Sequence, residues 1–296
     1  MNRREFSGAV AALLATCQSS ALAEGMGQLQ RREIPGTGDF LPVIGLGNSA
    51  AFRERDLQTA AATLRLLHNY GGAYVDCIGD SRLVVAEVAA SLGLSSELFL
   101  GTYFSDFDDR EARNEAAQIL EQSGKSQLDL MQTYAERAAP YWSRFQAWKD
   151  EGLTRYIGIA RHQSQYYDSM LELMATDTVD FLQVNYSLLE TEAEDRVLPM
   201  AMDKGVAVTI NRPFVNGRYF DVVRGHTLPA WAAEFDCRSW AQFSLKFILS
   251  HPAVNCILTE TANPRHLEDN LGGGVGALPD PAMRRRMLAH IREIIS

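Results

Sequence analysis

Residues 98–134 read LFLGTYFSDFDDREARNEAAQILEQSGKSQLDLMQTY and hold one complete unit of the fold. Leu98–Phe104 and Leu128–Tyr134 are short apolar runs, which predicts two buried strands. Between them, Asp108–Gly124 is polar and alanine-rich, with Ala116, Ile119 and Leu120 as its apolar positions. That pattern belongs to an amphipathic helix lying on the outside of a sheet. Strand, crossover helix and strand make a parallel βαβ unit. The same alternation runs outward in both directions, through Val43–Leu46, Ala73–Ile78, Tyr156–Ala160, Phe181–Tyr186, Val206–Asn211 and Asn255–Thr259. Helical spacing fills the intervals, as in Leu57, Ala61, Leu64 and Leu67, or Leu245, Ile248 and Leu249. Eight such units predict an α/β fold, a (β/α)8 TIM barrel, over a length close to the usual 250 or so residues. A doubly wound sheet would carry Gly-x-Gly-x-x-Gly after its first strand, and none follows Leu46. Gly272–Gly274 and Pro279–Ser296 then read as a linker and an extra C-terminal helix, packed across the barrel's outside or its mouth.

Barrel chemistry sits where strands end and βα-loops begin. The stretches to read are therefore Asp76–Ser81, Tyr103–Asp106, Tyr134–Arg137, Arg161–Gln163, Asn185–Leu188, Asn211–Gly217 and Thr259–Asn263. The 37 acidic residues outnumber the 28 basic ones, for a net charge of −9. Such a chain has no long-range attraction for phosphate backbones or anionic lipid, so no nucleic-acid partner is expected. Cys17, Cys77, Cys237 and Cys256 have neither zinc-ligand spacing nor disulfide-scaffold density, and no metal site is expected.

The first 25 residues, MNRREFSGAVAALLATCQSSALAEG, read as an address. Arg3 and Arg4 form a basic region, Gly8–Ala15 a short apolar one, and Ala21-Leu22-Ala23 a small-residue cleavage site. The apolar run is far short of the about 20 residues that cross a bilayer, so no membrane anchor is expected after cleavage. Paired arginines before Glu5-Phe6 resemble a twin-arginine export signal, with the twin-arginine translocon as partner and the periplasm as destination. Residues 1–23 would then be the signal and 24–296 the barrel. Lipidation at Cys17 is a lesser variant, because Thr16 is bulky for the position before a lipidated cysteine. The mature chain would keep three cysteines, an odd count that leaves at least one thiol free or paired between chains.

Six segments in order resemble the aldo/keto reductases, barrel enzymes that reduce carbonyls with NADPH. They are VIGLG (43–47), KDEGLTRYIGI (149–159), LQVNYS (182–187), KGVAV (204–208), SHP (250–252) and NPRHLEDN (263–270). The resemblance implies a site of four residues: an Asp and a Tyr after the second strand, a Lys ending the third and a His ending the fourth. The phenol donates a proton to the carbonyl oxygen, the lysine lowers its pKa, and the histidine orients the substrate. Position by position, the aspartate is Asp76, the lysine position is Tyr103 and the histidine position is Tyr134. The tyrosine position is Ser81, or is deleted. Two readings stay open. Tyr103 or Tyr134 has become the proton donor with Arg161 or His162 as its positive neighbour, or the two tyrosines merely fill the barrel mouth.

The resemblance also implies a dinucleotide site for NADP(H) or NAD(H). Gln183 and Asn185 match the carboxamide-supporting strand, with Arg161 where an asparagine is usual. Asn211, Arg212 and Phe214 match the pyrophosphate path, Asn211 replacing the usual aromatic stacker. Thr261, Arg265, His266, Asp269 and Asn270 match the adenosine end, while Glu260 would repel a 2′-phosphate. Asn263 before Pro264 also reads simply as a helix cap, and both readings hold at once. The function expected is reduction of a small carbonyl substrate, three of its four catalytic residues having been replaced. The alternative is a non-catalytic exported barrel that binds a nucleotide or small ligand, and a remoter one is a protein-interaction module.

Overall fold

The computed structural model describes residues 27–104 and 108–296, so the export-signal reading lies outside the described residues. Two short antiparallel strands, β1 (Arg31–Glu33) and β2 (Phe40–Pro42), precede the barrel. The barrel strands are β3 (Ile44–Leu46), β4 (Tyr74–Cys77), β5 (Phe99–Tyr103), β6 (Leu128–Tyr134), β7 (Thr154–Arg161), β8 (Phe181–Asn185), β9 (Ala207–Asn211) and β10 (Val254–Thr259). All eight run parallel, and β10 closes the ring by pairing Ile257, Leu258 and Thr259 with Ile44, Gly45 and Leu46. Each strand is buried on both faces, which is why the sequence shows continuous apolar runs.

Among the described residues the helices, in chain order, are α1 (Ala50–Arg53), α2 (Leu57–Asn69), α3 (Ser81–Ser91), α4 (Asp109–Ser123), α5 (Ala135–Ala138) and α6 (Trp142–Asp150). They continue with α7 (Tyr167–Met174), α8 (Val197–Lys204), α9 (Arg218–Val222), α10 (Trp240–Leu249), α11 (Pro264–Gly272) and α12 (Pro281–Ile295). Local chemistry sets their ends. Asp108 caps α4 by accepting from the amides of Arg110 and Glu111, and Gly124 ends it in the left-handed region. Asn263 caps α11 through the Arg265 amide with Pro264 in the first turn, so the capping reading holds. In α2 the core face is Ala60, Thr63, Leu64 and Leu67. Leu57 is instead exposed, because the first turn of α2 lies beyond the core that the rest of the helix covers.

The C-terminal helix α12 packs outside the barrel rather than over its mouth. It buries Met287 and Ile291 in the outer core and stacks His290 on Trp240 at 6.1 Å. Arg284 reaches the Phe247 carbonyl, Ser250, Tyr186 and Glu194. Covered on its outer side, α10 is buried from Ala241 to Leu249, including Lys246, whose ammonium is held by the carbonyls of Val275 and Ala277 at 2.6 and 2.8 Å. Cys77, Cys237 and Cys256 are all free and buried, and burial pushes each thiol's pKa up. They sit as inert core residues rather than as pairing partners. Among the described residues no helix is long and apolar enough to cross a membrane.

Inside the barrel, alternate residues stack in layers. The lowest holds Tyr74, Phe99, Tyr156 and Phe181, with ring centroids 5.0–6.0 Å apart. Ile34 and Leu41 of the hairpin segment close it from below. This plug is mainly aromatic, with the Tyr156 hydroxyl donating to Asp39 at 2.5 Å, and the Asp76 layer lies above it.

Candidate active site

One step up β4 from Tyr74, the pleat again turns a side chain inward, and that side chain is Asp76, 6% exposed. Room for it comes from Gly101 on the neighbouring strand. A Cβ there would lie 2.4 Å from Asp76 Oδ1 and 3.0 Å from the Tyr74 ring. Gly101→Ala is therefore expected to overpack the layer and cost about 1–3 kcal/mol, read by urea unfolding. Unchanged stability would mean that Asp76 is not confined there.

Among the described residues Asp76 faces no cation at contact distance. Its Oδ2 accepts from Gln183 Nε2 at 3.0 Å, and its Oδ1 accepts from Gln132 Nε2. Gln183 Oε1 in turn accepts from the Tyr103 hydroxyl at 2.5 Å and from Asn211 Nδ2 at 3.2 Å. Burial raises the Asp76 pKa to about 7, against the lowering effect of its two amide donors; nearby Glu260 adds to the rise. Burial likewise drives the Tyr103 phenol well above its ordinary value, assisted by Asp76, Tyr134 and Glu260, with Arg161 opposing. This layer thus holds its protons tightly.

The cavity above has a volume of about 650 Å³. The Tyr103 and Tyr134 rings form one wall, 5.6 Å apart and tilted by 39°. Arg161 lies 4.3 Å over the Tyr134 ring and 5.0 Å over that of Tyr166, and its guanidinium is paired to Glu136 through both carboxylate oxygens. Its charge is therefore already compensated. His162 also lines the cavity, and burial followed by Arg212 and Arg161 lowers its pKa against the raising effect of Glu190. No lysine lines this cavity among the described residues. Ser81 is buried at the start of α3 and does not line it either.

The opposite wall is the segment after β9. Arg212, Val215 and Asn216 take φ of 49°, 48° and 54°, followed by Gly217 at 91°. The left-handed region is costly for a β-branched residue such as Val215, and strain of this kind gathers at ligand-shaping loops. Phe214 and Phe220 face each other at 4.8 Å. Together with Glu260 they line both the main cavity and a second one of about 280 Å³. Thr261, His266, Asp269 and Asn270 complete that second cavity. The two compartments share the Phe214, Phe220 and Glu260 wall at the carboxyl ends of the strands.

Most of the residues expected from sequence meet here, but two do not. Asn185 lines neither compartment; its Oδ1 accepts from the Tyr167 hydroxyl at 2.9 Å and its Nδ2 donates to Glu190 at 2.8 Å. Arg265 is exposed on α11 and lines neither compartment. Conversely, Gln132, Asn48, Arg53 and Phe220 lie outside the stretches singled out from sequence, and Glu136 lies inside Tyr134–Arg137 with no role assigned to it. Gln132 carries a signal in hindsight, since an amide between Leu130 and Tyr134 on the inward register of a buried strand needs a polar partner. Glu136 had only its nearness to a strand end.

A closed barrel of eight parallel strands, with helices between them and polar cavities at the carboxyl ends of the strands, defines the class, a (β/α)8 TIM barrel. The chain belongs to the aldo/keto reductase family, whose family model matches residues 43–285. An aldo-keto reductase from Klebsiella pneumoniae, solved in complex with NADPH, is similar in structure with a TM-score of 0.71 at 18% identity, over 91% of this chain and 95% of that one. The holo form of an aldo-keto reductase from Bacillus halodurans gives 0.69 at 16% identity, over 90% and 96%. In sequence, the NADH-specific methylglyoxal reductase of Escherichia coli (strain K12) is 24% identical over 148 residues, 45% of this chain. The matched stretch spans less than half of that relative, 44% of its length.

Proposed function

We propose that this chain binds a nicotinamide dinucleotide across the two compartments and has lost most of the carbonyl-reductase activity associated with that site. The observation that carries this reading is the Asp76 carboxylate, bridged by two neutral amides, in a cavity that no lysine lines among the described residues. The supporting feature is that Phe214, Phe220 and Glu260 line both compartments, so a dinucleotide spanning the two would run past them. Thr261, His266, Asp269 and Asn270 would hold its adenosine end, and Arg212 its phosphates. When bound in reduced form, the nicotinamide supplies hydride to a carbonyl carbon.

The protein's own share of that reaction is a proton for the carbonyl oxygen. Tyr103 already donates its hydroxyl hydrogen bond to Gln183 and keeps a raised pKa, so it is a poor donor at neutral pH. Gln183 has both ends of its amide engaged, and Arg161 is spent on Glu136. This internal saturation also favours the second reading, a barrel that binds its ligand without turning it over.

Fluorescence titration of the purified chain with NADPH and NADH tests the binding. Micromolar to millimolar binding of either supports the reading, and binding of neither overturns it. Glu260 is exposed, lines both compartments and holds negative charge where a 2′-phosphate would approach. Glu260→Lys is expected to tighten NADPH more than NADH by about tenfold, since a charge-assisted phosphate contact is worth about 1.5–3 kcal/mol. Equal changes for both nucleotides would mean that the 2′-phosphate does not lie there.

We also propose that the chain is exported through the twin-arginine route, on the strength of Arg3, Arg4 and the small-residue site at Ala23. Replacing both arginines by lysine should leave the protein in the cytoplasm with residues 1–23 attached, as read by fractionation and intact mass. Normal export of the double variant would refute the assignment.

A further inference from the structure

The hydrogen-bond polarity of the barrel centre runs in one direction, and the Asp76 carboxylate sets it. Both oxygens of Asp76 accept, so Gln132 and Gln183 must each turn an NH2 group toward it. Their carbonyl oxygens then face away from it. That of Gln183 is taken up by Tyr103 and by the NH2 of Asn211. This fixes Asn211 in turn, with its own oxygen pointing onward. The chain of forced orientations ends in acceptors: Gln132 Oε1 and Asn211 Oδ1 are both buried and neither has a partner. Asn48, also on the cavity wall, has a third buried oxygen without a partner.

A buried acceptor without a donor is costly, so the site is complete only when a donor arrives. Two of the donors already present are committed. The Tyr103 hydroxyl donates to Gln183, and Arg161 is paired to Glu136. Arg53 and Arg212 also line the cavity; Arg53 is hydrogen-bonded to the Asn48 carbonyl and Arg212 to Asn216 Oδ1 at 3.2 Å. The acceptors still without a donor are the Asn211 and Asn48 oxygens beside the Asp76 carboxylate, while the Tyr134 hydroxyl and the remaining N–H groups of Arg53 and Arg212 line the same cavity. A carbonyl oxygen is itself an acceptor and would add to the imbalance. A protonated nitrogen would relieve it, because an ammonium brings three donors and a charge opposite to that of Asp76.

We propose that the floor of this cavity binds the protonated amino group of a small ligand, held by Asp76 with the oxygens of Asn211 and Asn48. The proposal does not require the dinucleotide. The test is calorimetric titration of the full-length chain at pH 8 with three probes of equal length, butylamine, butanal and butanoate. Butylamine should bind at least about tenfold more tightly than either of the others. Asp76→Asn and Asn211→Leu should each reduce that preference, provided that each melts as cooperatively as the wild type. If one variant does not fold, the other still decides.

Equal or tighter binding of butanal or butanoate, or no binding of any probe, overturns the proposal. So does a butylamine preference that survives in the folded variants, which would place the amine elsewhere. The NADPH titration is run on the same sample. Dinucleotide binding without an amine preference defeats this inference alone, and an amine preference without dinucleotide binding defeats only the preceding reading.

Discussion

Supplied with NADPH and a short aldehyde, the purified chain should turn over at least about 10²-fold below the ordinary enzyme range of roughly 1–10³ s⁻¹. The expectation follows from where the protons are. General acid catalysis works best with a donor whose pKa lies near the working pH, and contributes about 10²–10⁴-fold. Tyr103 is moved the wrong way by burial and by the Asp76 carboxylate, and its hydroxyl is already engaged as a hydrogen-bond donor to Gln183 Oε1. Arg161, the cation nearest the Tyr134 ring, has its charge compensated by Glu136. Tyr103→Lys combined with Tyr134→His should not restore turnover, because no phenol stands at the Ser81 position, which is buried at the head of α3. Stopped-flow and steady-state loss of NADPH absorbance measure it. Turnover of the wild type within the ordinary range would defeat the proposal of lost activity, and Tyr103→Phe and Tyr134→Phe would then identify the donor.

The barrel was legible in the sequence because its strands are buried on both faces. Phe99–Tyr103 and Leu128–Tyr134 show this as unbroken apolar runs that no surface element would tolerate. The candidate site was legible only as positions. Motif spacing located Asp76, Tyr103, Tyr134 and Gln183 at strand ends, and all four line one cavity. Spacing carries no information on which of two neighbouring polar side chains bonds which. Asn185 shares the strand with Gln183, yet Tyr167 and Glu190 take both ends of its amide. Arg265 follows the cap of α11 and faces solvent, a matter of helix rotation that a conserved-looking string does not record. Gln132 and Glu136 were missed for the complementary reason, since their roles exist only against partners 56 and 25 residues away in the chain.

Between pH 4 and pH 7 the wild-type protein should lose stability through Asp76, by up to about 4 kcal/mol relative to Asp76→Asn. The sign follows from the direction of the shift. The carboxyl is raised to about 7 in the folded chain, chiefly by burial, against about 3.9 when unfolded. Below about pH 4 both states hold the proton and the contribution is complete. As pH rises toward 7 the unfolded chain releases its proton while the folded chain still holds it, so folding is progressively disfavoured; above 7 the contribution is lost. Glu260 at the end of β10 and Glu194 beside Arg284 are also raised by burial, but both are present in the wild type and the variant and cancel in the difference. Asn at position 76 keeps one acceptor for Gln183, and its NH2 can serve the partnerless Gln132 Oε1 after that amide turns over. The variant should therefore fold and show no slope from this site. Urea unfolding at half-unit pH steps measures both proteins, and parallel curves would mean that the Asp76 pKa is ordinary. A slope confined to the wild type would also establish that the barrel centre changes polarity near neutral pH. Above 7 an ionised Asp76 turns both amides inward and leaves their acceptor chain facing the cavity; below it a protonated Asp76 becomes a donor and releases one amide to turn.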